Sequence, residues 1–224
     1  MVSSTRALRA RHAALLVAAL VLPAAATAQL PGLPVLQNAF SNPGVTAAAN
    51  YGSGDGSTTL GLAGAWAPSS GRFQFSAGVG SLDLEDAERA TAYGGRIAAA
   101  LFSFAGGSIG VAPFVGVGGA SLEGQRLTHV PAGVGFGWRR ALGTTRAISL
   151  HASPFFSWWR ATVDTGDEDE VLSKGLFRAS VGADVTLFSN FGATAGLEAG
   201  SKAENGDPGP TGTVWGVALS YAFR

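Results

Sequence analysis

The chain has 224 residues, a formal net charge of zero and charged side chains at only 13 % of its positions. Such a sparse, balanced charge leaves no basic footprint for nucleic acid. The absence of cysteine excludes a disulfide framework, a thiolate metal site and a thiol nucleophile.

Arg6, Arg9 and Arg11 precede the apolar run Ala13 to Leu22, and Ala26-Thr27-Ala28 follows Pro23. A basic region, a short apolar region and an A-x-A site predict a secretory signal peptide over residues 1–28. Gln29, not Cys, comes next, which argues against a lipid anchor. Residues 29–43 carry Pro31, Pro34 and Pro43 and read as an irregular lead-in. The mean hydropathy of +0.24 is high for a soluble protein. Yet the region after the leader has no run of about 18 apolar residues, so no spanning helix is expected.

From residue 44 to 224 one pattern recurs ten times: large apolar residues at every second position, with small or polar ones between. The stretches are 44–51, 58–67, 72–82, 91–102, 109–120, 130–142, 147–162, 175–187, 191–201 and 213–224. Period two specifies strands. Leu60, Leu62 and Trp66 share one face of the second, and Phe73, Phe75 and Val79 one face of the third. Phe177, Val181, Val185 and Leu187 align on the eighth. The opposite faces show Gly133, Gly135 and Gly137, or Arg178, Ser180, Gly182, Asp184 and Thr186. A soluble ligand-carrying barrel would turn its large apolar residues inward and its polar ones outward.

Tight turns are expected near Pro68, Gly106, Gly143 and Ser189, and longer charged loops near Glu85, Glu123, Glu168 and Asn205. Thirteen of the 15 acidic residues fall on the longer-loop side, and Asp184 and Glu198 have inward parity, so no carboxylate is expected to point outward from a strand. Trp66, Tyr93, Trp138, Trp158, Tyr221 and Phe223 lie toward strand ends, as interface girdles do. Ten residues at about 3.3 Å each, tilted about 45°, rise roughly 23 Å, the height of a bilayer's apolar band. The sequence therefore predicts an all-β, closed, antiparallel, up-and-down transmembrane barrel of ten strands, with eight as the alternative. Both its ends lie on the short-turn side.

The chain resembles the small, porin-like outer-membrane β-barrel proteins of Gram-negative-type bacteria. The resemblance covers the leader and residues 44–224, and its sharpest motif is the terminal "WGVALSYAF". It implies that Trp215, Val217, Leu219, Tyr221 and Phe223 form the signal read by the barrel-assembly machinery, with Arg224 after the usual final aromatic. It also implies outer-membrane lipid and lipopolysaccharide as surroundings.

Few groups point to chemistry. Arg96, Arg178, Asp184 and Glu198 form an expected polar lumen cluster, either a mutually neutralising set or a constriction that selects ions. Phe114, Phe155 and Trp159 share the inward parity and would narrow or block the lumen. His151 and Ser153 sit two apart on one face, with Asp164 the nearest acid downstream. That is a weak echo of an outer-membrane lipid-modifying hydrolase, since base, nucleophile and acid must be in mutual reach. His129 reads as a solvated loop residue. The loop "DTGDEDE", Asp164 to Glu170, lacks calcium-loop spacing, and "GVGGAS" from Gly116 opens no helix, so it is not a nucleotide loop. No catalytic set, cofactor or metal site is assigned. The expected role is structural or surface-interacting, the alternative a narrow passive pore for ions or small solutes, and a hydrolase stands third.

Overall fold

The computed structural model describes residues 40, 43–54, 56–84, 89–100, 102–122, 124–164, 169–188, 190–204 and 206–223. The expected leader and the lead-in, apart from Phe40 and Pro43, lie outside the described residues, as does Arg224.

Each alternating stretch is a strand: β1 (Gly44–Gly54), β2 (Ser57–Ala67), β3 (Phe73–Leu84), β4 (Ala90–Ala99), β5 (Phe102–Phe104), β6 (Ile109–Leu122), β7 (Gln125–Ala141), β8 (Ala147–Asp164), β9 (Asp169–Thr186), β10 (Phe191–Gly200) and β11 (Val214–Phe223). Neighbours run antiparallel, and the pairings β1–β11 and β4–β6 close the sheet. Closure leaves no edge of unpaired backbone groups, which hydrocarbon would not tolerate. One expectation needs correction. The fourth strand does not run unbroken to Phe102: after Ala99, the Ala100 N–H turns to the Arg72 carbonyl at 2.8 Å. β5 then pairs with β6 alone, and Ala105, Gly106 and Gly107, all at positive φ, reverse the chain. With β4 and β5 as one stave, ten staves span.

The register fixes the tilt. From Asp184, the paired residues run through Thr194, Ala218, Asn50, Gly61, Gly80, Ala92, Ala120, Leu127 and Ala161, and return to β9 at Leu172. One circuit therefore climbs twelve residues of β9. Twelve steps of about 3.3 Å against ten spacings of about 4.8 Å give a tilt near 40° and a backbone radius of roughly 10 Å. At that radius, inward side chains as long as Phe or Arg meet near the axis.

The outward face is apolar throughout its middle. Leu60, Leu62, Val79, Phe177 and Leu219 expose between 54 and 67 % of their surface. A water-soluble monomer does not carry a continuous belt of this kind, whereas a bilayer supplies its solvent. Two aromatic rings bound it. At the end where β1 starts and β11 stops (the terminal end), Trp66 stacks on Phe75 at 5.6 Å, and Tyr221 meets Phe191 and Phe223 at 4.8 and 4.9 Å. At the opposite (distal) end Tyr51 meets Trp215 at 5.6 Å. The barrel spans a membrane with strands.

The distal end departs from the sequence reading. β7, β8 and β9 have 17, 18 and 18 residues, against 11 in β1 and β2. Only two residues separate β6 from β7 and four separate β8 from β9, so strands run on into the stretches expected as long loops near Glu123 and Glu168. Polar residues there continue the ladder outside lipid, where a strand needs no apolar face. Among the residues whose side chains are described, two strand carboxylates share the outward parity, against expectation: Asp83 near the distal end of β3 and Asp164 at the end of β8. Both lie beyond the apolar belt, and Asp83 accepts from Arg89 Nη2 at 2.9 Å.

Candidate functional site in the lumen and its distal mouth

His129 is the clearest correction. It lies within β7, is buried, and stacks on Trp159 at 4.2 Å with 21° between the rings. Gln125 to Thr128, polar in sequence apart from Leu127, are the strand extension that carries it inward.

The four expected cluster residues occupy three separate places. Arg178 is fully buried. Its Nε donates to Glu198 Oε1 at 2.7 Å, its Nη1 to the Ser201 carbonyl at 2.8 Å and its Nη2 to the Gly212 carbonyl at 2.9 Å. The register brings this about: β10 stops at Gly200, opposite Arg178, while β9 runs on to Asp169. The guanidinium therefore reaches past the end of β10 and holds both ends of the segment 201–213. A charge-assisted fork satisfying three acceptors is a strong form of such contact.

That segment folds over the mouth. Its Ala203 packs on Trp159 and Leu176, all three buried, and the Ala203 N–H donates to the Pro210 carbonyl at 2.9 Å. Gly209, at φ +129°, lies so close that a Cβ there would come within 2.9 Å of Leu176 Cδ1 and 3.3 Å of the Trp159 ring. On its outer side Lys174 Nζ meets Asp207 Oδ2 at 2.7 Å. The hydrogen bond from Lys174 holds the Asp207 carboxyl below its ordinary value of 3.8. Beneath the segment a cavity of about 20 Å³, bordered by His129, Ser157, Trp159 and Glu198, has room for about one water.

Arg96 lies deeper. Its guanidinium carbon sits 4.0 Å above the centre of the Phe114 ring, and Phe114 meets Phe155 at 6.2 Å. Gly133 lies between those two in register, and its missing side chain is what lets the flanking rings meet. A cation over an aromatic face is attracted by the ring quadrupole. Phe114, Phe155 and Trp159 all point inward and are buried, as their parity predicts.

Asp184 belongs to neither group. Its Oδ1 accepts from Thr194 Oγ1 at 2.6 Å, and its Oδ2 from Ser149 Oγ at 3.1 Å. His151 Nδ1 is 3.3 Å from the same Oδ2, with the imidazole fully buried across Gly182. The acid beside His151 is therefore Asp184, not Asp164, which ends β8 at the distal rim opposite Asp169. Parity and neighbouring strands were legible in the sequence, but the acid's identity depends on register, which the sequence does not display. Below Asp184, toward the terminal end, the lumen holds a chamber of about 110 Å³, bordered by Gln74, Arg139, Thr186 and Ser220. Among the described residues no three His, Asp or Glu side chains converge to ligate a metal.

The terminal strand places Trp215, Val217, Leu219 and Phe223 on the outer face with Tyr221 between them, as the alternation predicts.

No protein-family model and no curated protein matches the chain. Solved outer-membrane barrels resemble it at the level of overall form. A KdgM porin in complex with disordered oligogalacturonate is 12 % identical, covering 80 % of this chain and 99 % of its own, with a TM-score of 0.41. The N-terminal β-barrel domain of Pseudomonas aeruginosa OprF is 12 % identical over 80 % of this chain and 96 % of its own, with a TM-score of 0.37. The attachment invasion locus protein Ail of Yersinia pestis is 12 % identical over 81 % of this chain and all of its own, with a TM-score of 0.36.

Proposed function

We propose that this chain is an integral outer-membrane β-barrel whose lumen is closed at rest, and whose role is structural or exerted at its distal surface. The observation that carries this reading is the Arg178 fork, which straps segment 201–213 across the mouth above the Arg96–Phe114–Phe155 layer. At a backbone radius of roughly 10 Å, two such obstructions in series favour a lumen closed to a hydrated ion. In this reading residues 1–28 are a leader removed on export and residues 29–43 a lead-in on the periplasmic side. The distal end then faces lipopolysaccharide, and the β11 aromatics are offered to the assembly machinery.

A narrow passive pore is the second reading, favoured by the polar chamber below Asp184. Single-channel recording in a planar bilayer separates the two, after refolding is verified by the gel-mobility change on boiling. A folded, silent barrel is the expected result. Reproducible steps whose ion preference changes in Arg96→Ala would overturn closure and make Arg96 the constriction. A hydrolase is disfavoured, because the His151 side chain has no exposed surface to offer a lipid ester.

A further inference from the structure

The chamber below Asp184 has an unexpected neighbour. Phe40 precedes β1 by four residues, yet its ring borders the chamber together with Thr46, Gln74 and Arg139. It lies against the inner face of β6 at Gly110, where a Cβ would come within 2.9 Å of Phe40 Cε1 and 3.2 Å of Cδ1. Gly110 is buried and has the inward parity of Ala112 and Phe114. Between them, Gly44 at φ +106° redirects the chain into β1, and a Cβ there would meet the Phe223 carbonyl at 2.8 Å. Phe40 therefore sits across the mouth from β1, the strand that follows it in sequence. The two strands involved are well separated, since β6 reaches β1 only through β4, β3 and β2 on the shorter way round.

We propose that the Phe40 ring is a stopper for the terminal mouth, seated on Gly110 at the edge of the chamber. An aromatic ring turned from water onto a side-chain-free patch gains apolar burial and obstructs the opening. The seat requires glycine, because any side chain at 110 occupies the ring's place. The inference adds to the closed-lumen reading a second closure, at the opposite end, and stands without the first.

The cysteine-free chain allows a direct test. A single cysteine, Gln74→Cys, is placed on the chamber wall, and its modification by a charged methanethiosulfonate reagent is timed in the folded, detergent-solubilised protein. Adding Phe40→Ala should speed labelling by about tenfold or more, the low end of what burying a phenylalanine ring confers. Gly110→Val should do the same with Phe40 still present. An unchanged rate in Phe40→Ala would overturn the stopper, whatever Gly110→Val does. Arg178→Met, which releases the distal segment, is run in parallel. If it alone speeds labelling, reagent enters from the distal side and the stopper is again overturned. If Phe40→Ala speeds labelling while bilayer recordings show open channels, the stopper stands and the closed-lumen reading fails.

Discussion

Phe114 and Phe155 come from strands that are not neighbours, yet their rings meet 6.2 Å apart over Gly133. A Cβ at Gly133 would fall 2.5 Å from Phe155 Cβ and would also collide with the Pro154 carbonyl oxygen. Gly133→Val should therefore destabilise the barrel by about 1–3 kcal/mol, the usual range for overpacking. Gly135→Ala on the same face should be milder. Thermal midpoints read from the heat-modifiable gel shift check this, and equal midpoints for the two variants would remove Gly133 from the account.

Arg178→Met should cost about 3–5 kcal/mol, because it removes the buried guanidinium that binds Glu198 and both ends of segment 201–213. It should also free Lys202, exposed within segment 201–213, for trypsin. The double variant Arg178→Met/Glu198→Met should recover part of the stability but none of the protease resistance, since the carbonyls of Ser201 and Gly212 still lack their donor. Resistance intact in the single variant would mean that packing on Trp159 holds the segment by itself.

The Lys174–Asp207 contact gives that strap a dependence on pH. Asp207 has its carboxyl held low by Lys174, so the contact is complete above the ordinary aspartate value of 3.8 and is lost as pH falls through the lowered one. Trypsin is inactive that low, so pepsin cleavage within 201–213 is the readout. The wild type should become more susceptible only at the acid end of pepsin's range. Asp207→Asn should be susceptible throughout and show no such step. A step of equal size in both proteins would assign it to another group.

Leu219 lies mid-strand on the lipid face and Ser220 on the chamber wall. Leu219→Arg should cost about 2–4 kcal/mol, the midplane figure for a charge facing lipid. Ser220→Arg should cost less, since its side chain enters a polar chamber that holds Asp184. Comparable loss of folded yield on refolding into lipid vesicles would undo the assignment of faces.

The wall of the barrel was legible because lipid imposes a two-residue rhythm on every stave, and Leu60, Val79, Phe177 and Leu219 obey it. The rhythm fades where lipid ends. Gln125 to His129 therefore reads as a loop, although it is strand, and so do the strand ends that flank Glu123 and Glu168. Inside the lumen, parity correctly turned Arg96, Arg178, Asp184 and Glu198 inward. Which of them meet depends on the register of neighbouring strands, which no local pattern encodes. Arg178 finds Glu198 diagonally, two residues off its paired position at Gly200. Asp184 finds His151, a residue of the preceding strand, two positions off its paired Ser149. Phe40 carried no signal at all, because a lone aromatic in a proline-rich segment has no period to betray where it goes.

The overrun of β7, β8 and β9 has a consequence for whatever meets the distal end of this protein. Seven residues beyond the length of β1 amount to roughly 23 Å of strand, so one flank of the rim stands as a hydrogen-bonded palisade while the opposite flank stays low. Side chains adjacent on that palisade, such as Arg160 and Ser173, come from different strands. An antibody or phage fibre gripping it would read an epitope assembled across the ladder and lost on boiling, and no linear peptide copied from the sequence would compete for it.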